Sequence, residues 1–73
     1  MTPVRVRAFW DEEAGVWVAE SPDVPGLATE AQDLDGLLLK LRVMVPELLE
    51  ENGLPLALPL ELHLEARQAL TPA

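Results

Sequence analysis

From Val4 to Trp10 the chain alternates, with Val4, Val6 and Ala8 on one parity and Arg5, Arg7 and Phe9 on the other. This period of two marks a strand with one buried face. Asp11 to Gly15 turn the chain back, and Val16 to Ser21 resume the pattern with Val16 and Val18 on one side and Trp17 and Ala19 on the other. The two runs predict a hairpin closed by a loop of about five residues. Ser21-Pro22-Asp23-Val24 suits a type I turn with proline at its second position. Val24-Pro25-Gly26-Leu27 suits a type II turn, whose third residue must tolerate positive φ. Two fixed turns in succession make a rigid corner, after which Leu27 to Ala31 can run as a short third strand beside the second.

At Asp33 the period changes. Leu34, Leu37, Leu38, Leu41, Met44, Val45, Leu48 and Leu49 recur at helical spacing over almost five turns. Asp33 is the expected N-cap, Asp35 complements the helix dipole in the first turn, and Asn52-Gly53 followed by Pro55 is a stop signal. Pro46 falls inside this run and removes one backbone donor. Val45 is a poor N-cap for a new helix, so a kink is expected rather than a break. Leu54 to Pro59 read as a proline-spaced connector. Beyond it, Leu60, Leu62, Leu64 and Ala66 alternate with Glu61, His63 and Glu65, a fourth strand with one apolar and one polar face.

The expected fold is therefore α+β and two-layered, in the order β-β-β-α-β. Strands cover about 3–10, 16–21, 27–31 and 58–66, the helix about 34–52, and one domain fills residues 1–73. A core of this size supplies only a few kcal/mol of net stability. There is no cysteine, hence no disulfide and no thiolate metal site, and a single histidine excludes a histidine-rich zinc site. Oligomerisation is the remaining means of added burial, and a homodimer is expected.

Charge narrows the partners. The chain carries a net charge of -8, yet 49% of its residues are hydrophobic, so the acids belong to the surface of a folded domain. Its five cations, Arg5, Arg7, Lys40, Arg42 and Arg67, are scattered. Phosphate binding needs a clustered basic face, so direct nucleic-acid binding is not expected, and a basic protein is the natural complement. No basic segment precedes an apolar run, and every apolar stretch is cut by charge or proline short of membrane-spanning length. A cytoplasmic, non-membrane chain is expected. Seven prolines, four arginines to one lysine and few amides fit a heat-adapted source.

Several of these residues carry a family likeness. Asp11, Gly15-Val16-Trp17-Val18-Ala19, Ser21, Asp23, Pro25-Gly26-Leu27, Glu30-Ala31 and Pro46-Glu47-Leu48-Leu49 with Asn52 resemble a family of small HicB-like bacterial domains of unassigned function. More distantly, the Pro-Asp-x-Pro-Gly corner resembles that of the N-terminal domain of HicB antitoxins. The likeness spans roughly Val4 to Gly53. It implies a partly degenerate ribonuclease-H-like sheet, with the first three strands as a meander and the strand after the helix parallel beside the first. It also implies an antitoxin-type role, in which the domain neutralises a small basic RNA-cleaving toxin of the HicA type while a separate C-terminal module binds DNA. No separate DNA-binding module is expected in these 73 residues, and the Gly-Asp usual before the helix is replaced by Ala31-Gln32 leading into Asp33.

Catalysis finds little support in the residues. Metal-dependent hydrolysis on such a sheet needs a carboxylate at the middle of the first strand, where this chain has Arg5 and Arg7. No catalytic residue, cofactor or metal ligand is assigned, and the enzyme reading ranks below two non-enzymatic ones. These are an interaction module that self-associates and binds a small basic partner, and a stand-alone structural or regulatory domain without a toxin. His63 is read as an outer-face strand residue rather than a general base. If the fourth strand lies beside the first, Glu61 and Glu65 fall near Arg5 and Arg7 as cross-strand charge pairs.

Two surfaces are candidates for recognition. Phe9 and Trp17 are read as sharing the sheet face opposite Val6 and Val18. One helix covers one face, so either set is left as an oligomer surface. On the helix, at about 100° per residue, Leu39 and Val43 fall opposite the core stripe with Pro46 nearby, rimmed by Glu47, Glu50 and Glu51. The competing reading of this second patch is a solvated acidic helix end.

Overall fold

The computed structural model describes residues 2–54 and 58–72. Its elements are β1 (Thr2–Asp11), β2 (Val16–Glu20), β3 (Ala28–Ala31), α1 (Leu34–Glu51) and β4 (Leu60–Arg67). They form an α+β fold, a four-stranded mixed sheet in the order β3-β2-β1-β4 with one helix packed on it. β1 pairs antiparallel with β2, β2 antiparallel with β3, and β1 parallel with β4. The parallel pair requires a crossover from one sheet edge to the other, and α1 supplies it. The connector expected over Leu54–Pro59 lies partly outside the described residues.

Alternation decides what the helix covers. Val4, Val6 and Ala8 of β1 and Ala19 of β2 are buried on the helix side, against Leu37, Leu41, Val45 and Leu49 of α1. Leu60, Leu62 and Leu64 of β4 pack at the margin of this core and remain only partly buried. Asp33 caps α1 by accepting from the Gly36 amide at 2.6 Å. The helix is unbroken through Pro46 to Glu51, and Asn52 closes it with its amide directed at Leu48 and Glu50.

Register corrects one expectation. In a ladder, directly opposed residues share a face, and the hairpin opposes Phe9 to Val18 and Trp10 to Trp17. Phe9 and Val18 therefore occupy the open face. Trp17 lies with Val6 on the helix side, packed against the core and meeting Trp10 edge-on at 5.5 Å between ring centroids. Phe9 and Trp17 do not form one surface, because the turn sets a register that reading the two strands separately cannot supply.

The expected cross-strand charge pairs do not form as read from the chain. In the parallel register His63 lies opposite Arg5 and Glu65 opposite Arg7, with Glu61 opposite Pro3. Among the described residues neither arginine pairs with these acids. Glu61 contacts His63 and Glu65 takes Arg67 at 2.6 Å, each along β4 itself, while Arg5 turns the other way, to Asp23. The described residues have a radius of gyration of 13.1 Å, against about 11 Å for a compact chain of this length. The longest dimension is 46 Å, and residues 68–72 run exposed beyond the last strand.

Candidate functional site

The proline corner between β2 and β3 sets the shape of its surroundings. β2 opposes β1 only from Arg7 to Asp11, so the earlier half of β1 has no backbone partner on that side. Side chains of the corner take that place. Ser21 Oγ donates to the Arg5 carbonyl, and Asp23 accepts the Arg5 amide at 2.8 Å and its guanidinium at 3.0 and 3.2 Å. Ser21 Oγ also accepts the Asp23 amide at 3.0 Å, closing the first turn.

The second turn is held by a Leu27 to Val24 backbone bond of 3.2 Å, with Gly26 at φ 82°, as a type II turn requires. Val24 and Leu27 are thereby driven into the core. Asn52 Nδ2 donates to both the Leu48 and Pro25 carbonyls, tying the helix end to the corner. Ser21, Asp23, Pro25, Gly26 and Asn52 thus form one structural clamp. The charge-assisted bonds from the Arg5 side chain, then from its backbone, hold the Asp23 carboxyl below its ordinary range, and burial opposes them only in part. An ionised carboxylate engaged with Arg5 is poorly suited to move protons near neutral pH.

No group of three or more His, Asp or Glu side chains is arranged to hold a metal ion among the described residues. His63 is exposed on the open sheet face and contacts Glu61. No helix is long and apolar enough to cross a membrane among the described residues.

Residues 3–73 match a domain family of unknown function, DUF1902. The chain belongs to this family. A crystal structure of the hypothetical protein TTHA1013, from the extremely thermophilic bacterium Thermus thermophilus, is similar to the chain at 68% identity and a TM-score of 0.84. The match covers 94% of this chain and 97% of that one. No protein of curated function matches at a significant level. The family and its thermophilic relative supply a fold and no activity, so the surfaces of the domain carry the functional reading.

The outer face of α1 is the first such surface. Leu39 and Val43 are 64% and 59% exposed, one turn apart. Glu47, Glu50 and Glu51 are exposed around them, and no basic residue lies in the last turn. Pro46 is only partly exposed. It reaches the rim of a groove that the spacing of the chain did not reveal, lying between α1 and β4 and enclosing about 690 Å³. Leu41, Val45, Leu60 and Leu62 form its floor, with Arg42, Pro46, Leu58 and Pro59 around them. Its one sequence signal is the excess of leucines in the fourth strand over what a single helix can cover.

The open sheet face is the second surface, and it is mixed. Phe9 is 42% exposed there among Arg7, Glu20, His63, Glu65 and Arg67. A shallow depression of about 430 Å³ is lined by Arg5, Arg7, His63 and Glu65 with the strand segments between them. It gathers charges of both signs.

Proposed function

We propose that this domain is a non-enzymatic protein-interaction module of the HicB antitoxin type, built on a partly degenerate ribonuclease-H-like sheet and working in the cytoplasm. It self-associates, and it binds a small basic protein through the outer face of α1. The observation that supports this reading is the pair Leu39 and Val43, exposed on the side of the helix turned away from the core, with Glu47, Glu50 and Glu51 exposed beyond them toward its C-terminal end. An apolar centre with a charged rim is the usual anatomy of a recognition patch. The net charge of -8 selects a basic partner. Glu50 and Glu51 also sit at the negative end of the helix dipole, at a cost of a few tenths of a kcal/mol that a bound cation relieves. A HicA-like toxin has the required size and charge.

The test is a pull-down from native lysate with the tagged chain at low and high salt, repeated for Leu39→Asp and Glu50→Lys. The wild type retains a small basic protein at low salt and releases it at high salt, and both variants lose it. Equal retention by all three proteins rejects this surface. A reading frame for a short basic protein beside the gene supports the antitoxin-type role, and its absence favours the stand-alone domain.

A further inference from the structure

We propose that the self-association occurs through the free edge of β4, which pairs antiparallel with β4 of a second copy about a twofold axis at Leu64. This rests on the self-associating reading above and specifies its geometry. β4 is an edge strand eight residues long whose outward charges, Glu61, Glu65 and Arg67, are of both signs rather than one, and it has no proline, lysine or inward-facing charge from Leu60 to Arg67. These are the devices by which edges are ordinarily protected from pairing. The opposite edge, β3, has four residues, and Lys40 Nζ already occupies its Glu30 carbonyl at 2.5 Å.

The charges on β4 select the register. A twofold normal to the sheet keeps the open faces together, so Glu61, His63, Glu65 and Arg67 meet their own copies in reverse order. Centred on Leu64, it opposes Glu61 to the partner's Arg67 and His63 to the partner's Glu65, and the same pairs recur by symmetry. Each carboxylate, already bonded to the basic group two residues along its own strand, then gains a second one across the interface. Moving the axis to His63 opposes Glu61 to the partner's Glu65, and moving it to Glu65 opposes that residue to itself, while an axis at Leu62 or Ala66 keeps one kind of complementary pair where Leu64 gives two. Like charges directly opposed are destabilising. In a chain of net charge -8, this edge is a self-complementary stretch.

The apolar side reaches the same register independently. Leu58 and Leu70 are the most exposed large hydrophobic residues described, at 73% and 87%. With the axis at Leu64 the chain beyond β4 carries Leu70 to the partner's Leu58, at the mouth of the groove between α1 and β4. Leu64 meets its own copy, and Leu62 meets the partner's Ala66, so the half-covered leucines of β4 gain the cover that α1 does not give.

Cysteine cross-linking tests the axis, since the chain has no cysteine of its own. Directly opposed residues in an antiparallel pair have Cα atoms about 4.5–5.5 Å apart, within disulfide range. Residue 62 lies about 14 Å from its own copy in this register. Under mild oxidation Leu64→Cys gives a covalent dimer on a non-reducing gel and Leu62→Cys does not. In parallel, sedimentation of exposed-residue variants shows the dimer weakened about tenfold by Arg67→Glu and restored by the exchange Glu61→Arg/Arg67→Glu. A wild-type dimer that neither cross-links at 64 nor responds to Arg67→Glu overturns the β4 edge and leaves self-association standing. A wild-type monomer at tens of micromolar overturns both.

Discussion

Replacing Leu37 by alanine tests whether the two faces of α1 do different work. Leu37 is fully buried, and the first turn around it is held by the Asp33 cap and by the close approach of Gly36 to Asp33 and Ala31, so the site has little freedom to collapse. Loss of three carbons costs roughly 2.4 kcal/mol in transfer, and the residual cavity raises this into a range of about 2–5 kcal/mol. A domain of 73 residues has about 4–11 kcal/mol in all. Leu37→Ala therefore removes a large part of the total. Leu39→Ala, the same chemistry two residues along and 64% exposed, changes stability by no more than about 0.5 kcal/mol. Urea titration followed by the fluorescence of Trp10 and Trp17 reads both variants. It is run at one protomer concentration, so that the proposed self-association cannot contribute to the difference, and with unchanged m-values. A difference of less than about 1 kcal/mol between the two variants would refute the assignment of inner and outer faces.

The clamp at the proline corner gives two further expectations. At Gly26, φ is 82° and an added Cβ would stand 3.9 Å from Leu48, so space is available and Gly26→Ala costs only the left-handed backbone, about 1–2 kcal/mol, read as a lower urea midpoint. Asp23 has its carboxyl held below the ordinary range by Arg5. Its contribution is therefore fully present above the unfolded carboxylate value and is lost as pH falls through the depressed folded value. Asp23→Asn lowers stability at neutral pH and flattens this acid limb. An acid limb equal to that of the wild type would show that the Arg5 contact has no energetic effect.

The alternation of β1 and β4 and the helical spacing from Leu34 to Leu49 were legible from the chain, because each is a local period imposed by one buried face. The Asp33 cap and the Gly26 turn were legible for a similar reason, since each needs a particular residue type at one place. What failed depended on register. Phe9 and Trp17 have the same parity in number but lie on opposite faces, since the turn pairs odd with even residues across the hairpin. The Arg5–Asp23 pair was equally hidden. Asp23 reads as ordinary turn chemistry until β2 is seen to end at Glu20, leaving the start of β1 for the corner to satisfy. The groove beside β4 depends on where α1 crosses the sheet, which the spacing of its leucines does not encode.

The two surfaces proposed for recognition point in different directions. Leu39 and Val43 lie on the side of α1 turned away from the sheet, whereas the free edge of β4 lies in the plane of the sheet. A second copy added at β4 extends the sheet and leaves both helix faces outward, each with its acidic rim. Perturbations at the two surfaces should therefore separate. Leu39→Asp abolishes retention of the basic partner and leaves the sedimentation of the chain alone unchanged, while Arg67→Glu shifts the chain toward monomer and leaves Leu39, Val43 and Glu50 in place to bind. The double variant shows the sum of the two effects, as sites without shared contacts do. Loss of the dimer in Leu39→Asp would instead mean that the helix face is itself the contact between copies, and that the acidic rim faces a second chain rather than a basic protein.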